Sequence, residues 1–94
     1  MEIKHEDNGK KGKFYVEIDG KQEGEMVYSY AGQVKIIIEH TEVSEKLKGQ
    51  GIGYKLLEEV VAFMRENNLK AIPLCPFANA VFKKRNKDYQ DVLA

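Results

Sequence analysis

Hydrophobic residues change their spacing near the middle of the chain. Over residues 1–43 they favour the two-residue alternation of strands, and over 52–67 they recur at a helical period. The segment Lys13-Phe14-Tyr15-Val16-Glu17-Ile18 is rich in β-formers and runs into Asp19-Gly20, residue types that tolerate the positive φ of a tight hairpin turn. Residues 22–30 are the expected partner strand, with Ala31-Gly32-Gln33 as the next turn. Val34 to Val43 is expected as a third strand, ~33 Å long if fully extended. Its Ile36-Ile37-Ile38 puts apolar side chains on both faces, so it is expected to lie centrally and be covered on both sides. The three strands predict an antiparallel meander with residues 13–18 at an edge.

From Ile52 the apolar positions 52, 56, 57, 60, 61, 63 and 64 follow a helix, and Asn67-Asn68 offers its stop. Lys70 to Leu74 reads as a short strand, in which Pro73 suggests an edge, a bulge or a splayed position. Pro76 suits the first position of a helix, where its fixed φ fits and its missing N–H costs nothing. Phe77 to Arg85 continues that helix, and residues 88–93 form a short final turn or helix. The order β-β-β-α-β-α predicts an α+β, or mixed α/β, fold. A right-handed crossover would set residues 34–43 and 70–75 parallel.

Composition narrows the function. The 94 residues are 43% hydrophobic, enough for a modest core in one domain spanning residues 1–94. Fifteen basic residues balance fifteen acidic ones, which argues against a dedicated nucleic-acid binder and against a polybasic membrane-surface protein. The apolar runs fall far short of the roughly 20 residues a membrane span needs. Residues 1–20 are too polar for a signal peptide. Cys75 is the one cysteine, which excludes an internal disulfide, and two histidines leave little for a metal site. A cytoplasmic protein without a resident metal is expected, as a monomer or weak dimer.

The chemistry concentrates at Lys48-Gly49-Gln50-Gly51-Ile52-Gly53, between a strand and an amphipathic helix. Glycines let backbone N–H groups approach a ligand, and the helix start adds unpaired N–H groups and a positive dipole end. Such a turn can cradle phosphate or pyrophosphate, or serve only close packing. It is neither a P-loop nor a full dinucleotide fingerprint, since no G-x-x-x-x-G-K-[ST] occurs and the third glycine of G-x-G-x-x-G is replaced by Leu56.

At these residues the chain resembles the GNAT superfamily of acyl-CoA-dependent N-acetyltransferases. The family pattern Q/R-x-x-G-x-G/A aligns with Lys48 to Gly53, with Lys48 in place of Gln or Arg. His40-Thr41-Glu42-Val43, Gly51-Ile52-Gly53 and Cys75-Pro76-Phe77 look most like its very short, single-domain members. The resemblance covers residues 34–82. It implies acetyl-CoA as donor, with amides near Gly49, Gly51 and Gly53 on the pyrophosphate. It also implies that the main chain at Glu42-Val43 pairs with the pantetheine arm like an added strand. Two parallel strands would splay to admit the thioester, Pro73 would suit the splay by removing a ladder donor, and Asn79 would bond the pantetheine.

Transfer to an amine needs a base for the nitrogen, donors for the oxyanion and an acid for the leaving thiolate. Larger family members often place a tyrosine acid in the last helix; here Phe82 stands in that region. Cys75, at a helix N-cap, could protonate the thiolate or carry the acetyl group, or be a small buried hydrophobe. His40, expected to share a strand face with Ile36, Ile38 and Glu42, could be the base or a core histidine. Glu39 and Glu42 are weaker candidates. Lys83-Lys84-Arg85-Asn86-Lys87 could meet the 3′-phosphate of CoA or simply complement the helix end. Asp7 to Gly12 leaves no room for two helices, so the acceptor side should be open, which suits an amine on a protein side chain or terminus. The rival expectations are a non-catalytic acyl-CoA-binding or interaction module, and a domain whose glycine loop is only a turn.

Overall fold

Asp19 and Gly20 both take positive φ, 53° and 80°. The hairpin they close joins β2 (Lys11–Ile18) to β3 (Lys21–Tyr30). The computed structural model describes residues 2–94. Five strands form one sheet in the order β1-β2-β3-β4-β5. It is antiparallel as far as β4 (Lys35–Val43) and parallel between β4 and β5 (Lys70–Pro73). The mixed α/β fold and the parallel crossover are therefore as expected.

One strand was not foreseen. β1 (Ile3–Asp7) pairs with β2, so residues 13–18 lie inside the sheet and β1 takes the edge. Its sequence, Ile-Lys-His-Glu-Asp, gives no apolar alternation; tertiary bonds hold it. The Tyr28 and Tyr30 hydroxyls each donate to Asp7 Oδ2 at 2.6 Å, and His5 Nε2 lies 2.6 Å from the Tyr28 oxygen. The His5 ring also stacks on Phe14 at 4.0 Å. Burial and the hydrogen bond to Asp7 push the Tyr28 phenol far above its ordinary pKa, and the same causes raise Tyr30 to about 12.

Phe14, Val16, Met26, Tyr28, Ile36 and Ile38 face one layer of helices and are buried with them. Each such side chain contributes about 1.5–3 kcal/mol by leaving water. The opposite face carries Lys13, Tyr15, Glu25, Ser29 and Ile37, all half-buried, and among the described residues no helix covers it. This corrects the expectation for the three isoleucines: Ile36 and Ile38 are buried, whereas Ile37 stands on the open face. A second correction lies just beyond. Val27 pairs with His40 but Tyr28 pairs with Ile38, so Glu39 is an extra residue, a β-bulge. The bulge inverts the alternation. His40 and Glu42 therefore share the open face with Glu25, not the buried face of Ile36 and Ile38.

α1 (Ile52–Asn67) buries Ile52, Leu56, Leu57, Val60, Val61 and Met64 against the sheet. It ends where Asn68 turns left-handed, with φ 56°, and the Leu69 N–H reaches back to the Met64 carbonyl at 2.8 Å. α2 (Pro76–Lys84) starts at its proline and buries Ala78, Val81 and Phe82. α3 (Asn86–Tyr89) and a following 3-10 turn (Gln90–Val92) close the end, with Tyr89 edge-on to Phe82 at 5.0 Å. Among the described residues no helix is long and apolar enough to cross a membrane.

Candidate functional site

The β4–β5 ladder runs from Lys35 and Lys70 to Ile38 and Pro73, then stops. The N–H groups of Leu74 and Cys75 both donate to the Ile38 carbonyl, at 3.1 and 2.9 Å, as the chain turns away into α2. β4 continues to Val43 with β3 alone as neighbour, leaving a gap on its other side. The Ser44 N–H donates to the Glu23 carbonyl of β3 at 2.7 Å. Backbone groups alternate in direction along a strand. The main chain of Thr41 and Val43 therefore faces the gap, while that of Glu42 faces β3. Lys70 and Leu74 donate toward the β4 side, to Val34 and Ile38. By the same alternation Pro73 turns its missing N–H to the outer edge, so its lost donor does not make the gap, contrary to expectation.

The glycine turn meets this gap from the helix side. Gly49 and Gly51 have φ of 83° and 72°, and a Cβ on either would touch nothing within 4 Å. Conformation, not space, requires glycine there. Gly51 caps α1 without a side-chain bond, and the first turn holds no acidic residue. The N–H groups of Ile52, Gly53 and Tyr54 consequently have no acceptor among the described residues. They suit an anion, which is the fit a pyrophosphate requires. Gly53 serves a different need: a Cβ would lie 2.9 Å from the Phe77 ring of α2. A depression of about 380 Å³ joins these parts, lined by Thr41, Val43, Lys48, Gly51, Gly53 and Phe77 among others. Lys48 Nζ pairs with Glu45 at 2.8 Å in solvent. The Ile52 side chain is buried, Gln50 is exposed on the turn, and Asn79 is half-buried one turn into α2; neither Gln50 nor Asn79 lines the depression.

Cys75 and His40 lie on opposite faces. Cys75 is the N-cap of α2 and 2% exposed, with Sγ 3.1 Å from Thr41 Oγ1. The bulge is what brings Thr41 to that side. His40 is 53% exposed on the open face, its Nε2 3.0 Å from Glu25 Oε2. Burial works against the Glu25 charge, but hydrogen bonds from His40 and Gln22 outweigh it and hold the carboxyl below its ordinary value. Glu42 stands opposite Glu25, and ligand atoms of Glu25, His40 and Glu42 lie within 4.8 Å of one another. Glu39 is occupied otherwise, accepting from the Ser29 hydroxyl at 2.8 Å and pairing with Lys11 at 3.4 Å.

The gap between the parallel strands thus opens beside an uncapped helix start. The profile of the GCN5-related N-acetyl-transferase family matches residues 13–92. The chain belongs to this family. The solution structure of a GCN5-like protein from Staphylococcus aureus is similar, with 42% identity and a TM-score of 0.77, covering 99% of this chain and 87% of that one. NATD1 of Xenopus tropicalis is 29% identical over 83 residues, 87% of this chain and 76% of that protein. An Elizabethkingia anophelis GNAT acetyltransferase solved with acetyl-CoA bound shares the fold, with a TM-score of 0.64 at 17% identity over 82% of this chain and 53% of that one.

Within this GNAT chain, sequence patterns missed three residues at the site. Thr41 meets Cys75 only because of the bulge, which no residue type announces. Glu25 meets His40 through strand register. Tyr54, 42% exposed and edge-on to Phe77 at 5.3 Å, carried the one usable signal: an aromatic side chain in a helix's first turn beside glycine.

Proposed function

We propose that this chain transfers an acetyl group from acetyl-CoA to an amine that arrives from the open face of the sheet, on a protein terminus or side chain. The observation that carries this is the gap beyond Ile38, flanked by the free main chain of Thr41 and Val43 and by the unbonded amides that start α1. The amides of Gly49, Gly51, Ile52, Gly53 and Tyr54 hold the pyrophosphate, and the main chain of Val43 and Thr41 pairs with the pantetheine amides. An N–H facing the gap steadies the charge that builds on the thioester oxygen. His40, oriented by Glu25, takes the proton of the attacking nitrogen from the open face. Cys75 acts from the helix face, returning a proton to the leaving CoA sulfur. If it instead carries the acetyl group, its sulfur displaces CoA and the amine then displaces Cys75, with the thiol regenerated.

A second reading, acyl-CoA binding without turnover, is favoured by Phe82, which is packed on Tyr89 and 2% exposed where larger relatives place an acid. Calorimetric titration with acetyl-CoA, followed by thiol release with peptide amines, decides between them. Transfer is expected to fall at least about tenfold in His40→Gln and Cys75→Ala, with acetyl-CoA affinity kept within about twofold. Saturable binding with no thiol release from any amine would leave the binding module standing. Absence of acetyl-CoA binding would reject both.

A further inference from the structure

Cys75 and the depression beside the glycine turn do not meet directly. Cys75 is 2% exposed and does not line the depression. Thr41 is half-buried and does line it, and its Oγ1 lies 3.1 Å from Cys75 Sγ. Among the described residues this is the one side-chain hydrogen bond that either residue makes. The bulge at Glu39 creates it. Along an uninterrupted strand His40 would share the helix face with Ile36 and Ile38, and Thr41 would point to the open face. Packing alone would be served by valine, which has the same shape, suits a strand equally and has no hydroxyl to desolvate. A threonine hydroxyl carries one proton and two acceptor sites, so it can accept from one group while donating to another.

We infer that the Thr41 hydroxyl is the proton relay between Cys75 and the leaving sulfur of the acetyl donor. This rests on the function proposed above and assigns that reaction a further catalytic residue. As the tetrahedral intermediate collapses, its carbon–sulfur bond breaks and the electron pair stays on the CoA sulfur. Thr41 Oγ1 gives that sulfur its proton and takes the proton of Cys75, so the O–H is restored and the charge is left on Sγ. Cys75 is the N-cap of α2, where the helix dipole favours a negative charge. On the open face, His40 passes the proton taken from the amine to water. Once the slot empties, the Cys75 thiolate recovers a proton from water through the same hydroxyl, which closes the cycle. The relay requires the S–H to donate to Oγ1 in the free protein, leaving the Thr41 proton turned to the slot. It also disfavours an acetyl group carried on Cys75, because a thioester in the slot meets the hydroxyl before the thiol.

The test compares the full chain with Thr41→Val, Thr41→Ser and Cys75→Ala. In thiol release from acetyl-CoA with a peptide amine, Thr41→Val should lower kcat at least about tenfold and leave the KM for acetyl-CoA within about twofold. Thr41→Ser keeps the hydroxyl and should recover most of the rate. Added to Cys75→Ala, Thr41→Val should cost less than about twofold more, because the two residues act as one unit. A readout without acetyl-CoA is the Raman S–H stretch, which belongs to Cys75 alone in this one-cysteine chain. Its frequency should rise in Thr41→Val, where the hydrogen bond is lost, and hold in Thr41→Ser. The relay is overturned by a Thr41→Val rate within about twofold of wild type, or by full additivity with Cys75→Ala. An S–H band that Thr41→Val leaves in place overturns it too, as does an acetyl thioester on Cys75 in intact mass. The wild-type band decides even if Thr41→Val fails to fold: the frequency of a free alkyl thiol overturns the relay. No thiol release by the wild type with any amine rejects the acetyltransferase reading and the relay with it, whereas turnover indifferent to Thr41→Val rejects the relay alone.

Discussion

Gly53→Ala separates the packing role of the glycine turn from its conformational role. Gly53 is the second residue of α1, and in a helix interior alanine is favoured over glycine by about 0.8–1 kcal/mol, an upper bound for this first turn. Against that gain, the new Cβ would stand 2.9, 3.2 and 3.4 Å from three atoms of the Phe77 ring. Restoring ordinary carbon contact needs the ring to retreat by about 0.6 Å. Phe77 is half-buried and borders the depression of about 380 Å³, so its ring is not locked on every side. Overpacking then costs about 1 kcal/mol, the low end of its usual range. The two effects nearly cancel, and Tm should move by less than about 4 °C. The displaced ring, however, narrows the space between α2 and Val43. Acetyl-CoA affinity should drop about tenfold, equivalent to ~1.4 kcal/mol. Thermal unfolding by circular dichroism and calorimetric titration measure the two quantities, and Phe77→Leu in the same chain should restore binding. Unchanged affinity, or a Tm loss beyond about 10 °C, would refute the reasoning: the ring would then be either irrelevant to the slot or unable to move.

Gly12→Ala should be far more damaging, because its Cβ would fall 2.3 Å from the Tyr28 ring and hydroxyl and 2.8 Å from the Glu6 carbonyl. Neither neighbour can yield without breaking the bonds that hold β1, so a loss of about 3 kcal/mol and a Tm drop above about 10 °C are expected in thermal melts. Stability should also decline on acidification. Burial lowers the His5 pKa, so below pH 6.5 the unfolded chain takes up a proton that the folded chain resists, and stability present above that pH is lost as pH falls. Burial alone would raise Asp7, but bonds from Tyr28, Tyr30 and Gly9 lower it. Its contribution is full above the unfolded value of 3.8 and disappears as pH falls through the folded value. Urea midpoints against pH check both; Asp7→Asn should flatten the acid limb, and a midpoint independent of pH from 7 to 3 would contradict this account.

The features legible in the sequence were those with local causes. Asp19-Gly20 announces its turn because few residue pairs accept two positive φ values, and α1 because six buried positions recur at its period. Glycine spacing pointed to the turn at Gly49 and Gly51 for the same local reason. Features with tertiary causes stayed hidden. β1 is polar after Ile3 and is recruited by two tyrosines from β3, so alternation could not reveal it. The bulge at Glu39 depends on how β3 and β4 settle together, and it alone decides that His40 faces away from Cys75. Reading the strand as uninterrupted put His40 on the wrong face.

Pro73 has a consequence for self-association. Along β5, the outward-facing positions are Ala71 and Pro73. The Ala71 carbonyl already accepts the Ala94 N–H at 3.0 Å, and Leu93 lies alongside Ala71 as a single bridge. Proline offers no N–H at the next outward position. A visiting strand would therefore find its first rung taken and its second without a donor. The outer edge of β5, itself a short strand, is thereby closed to templated growth.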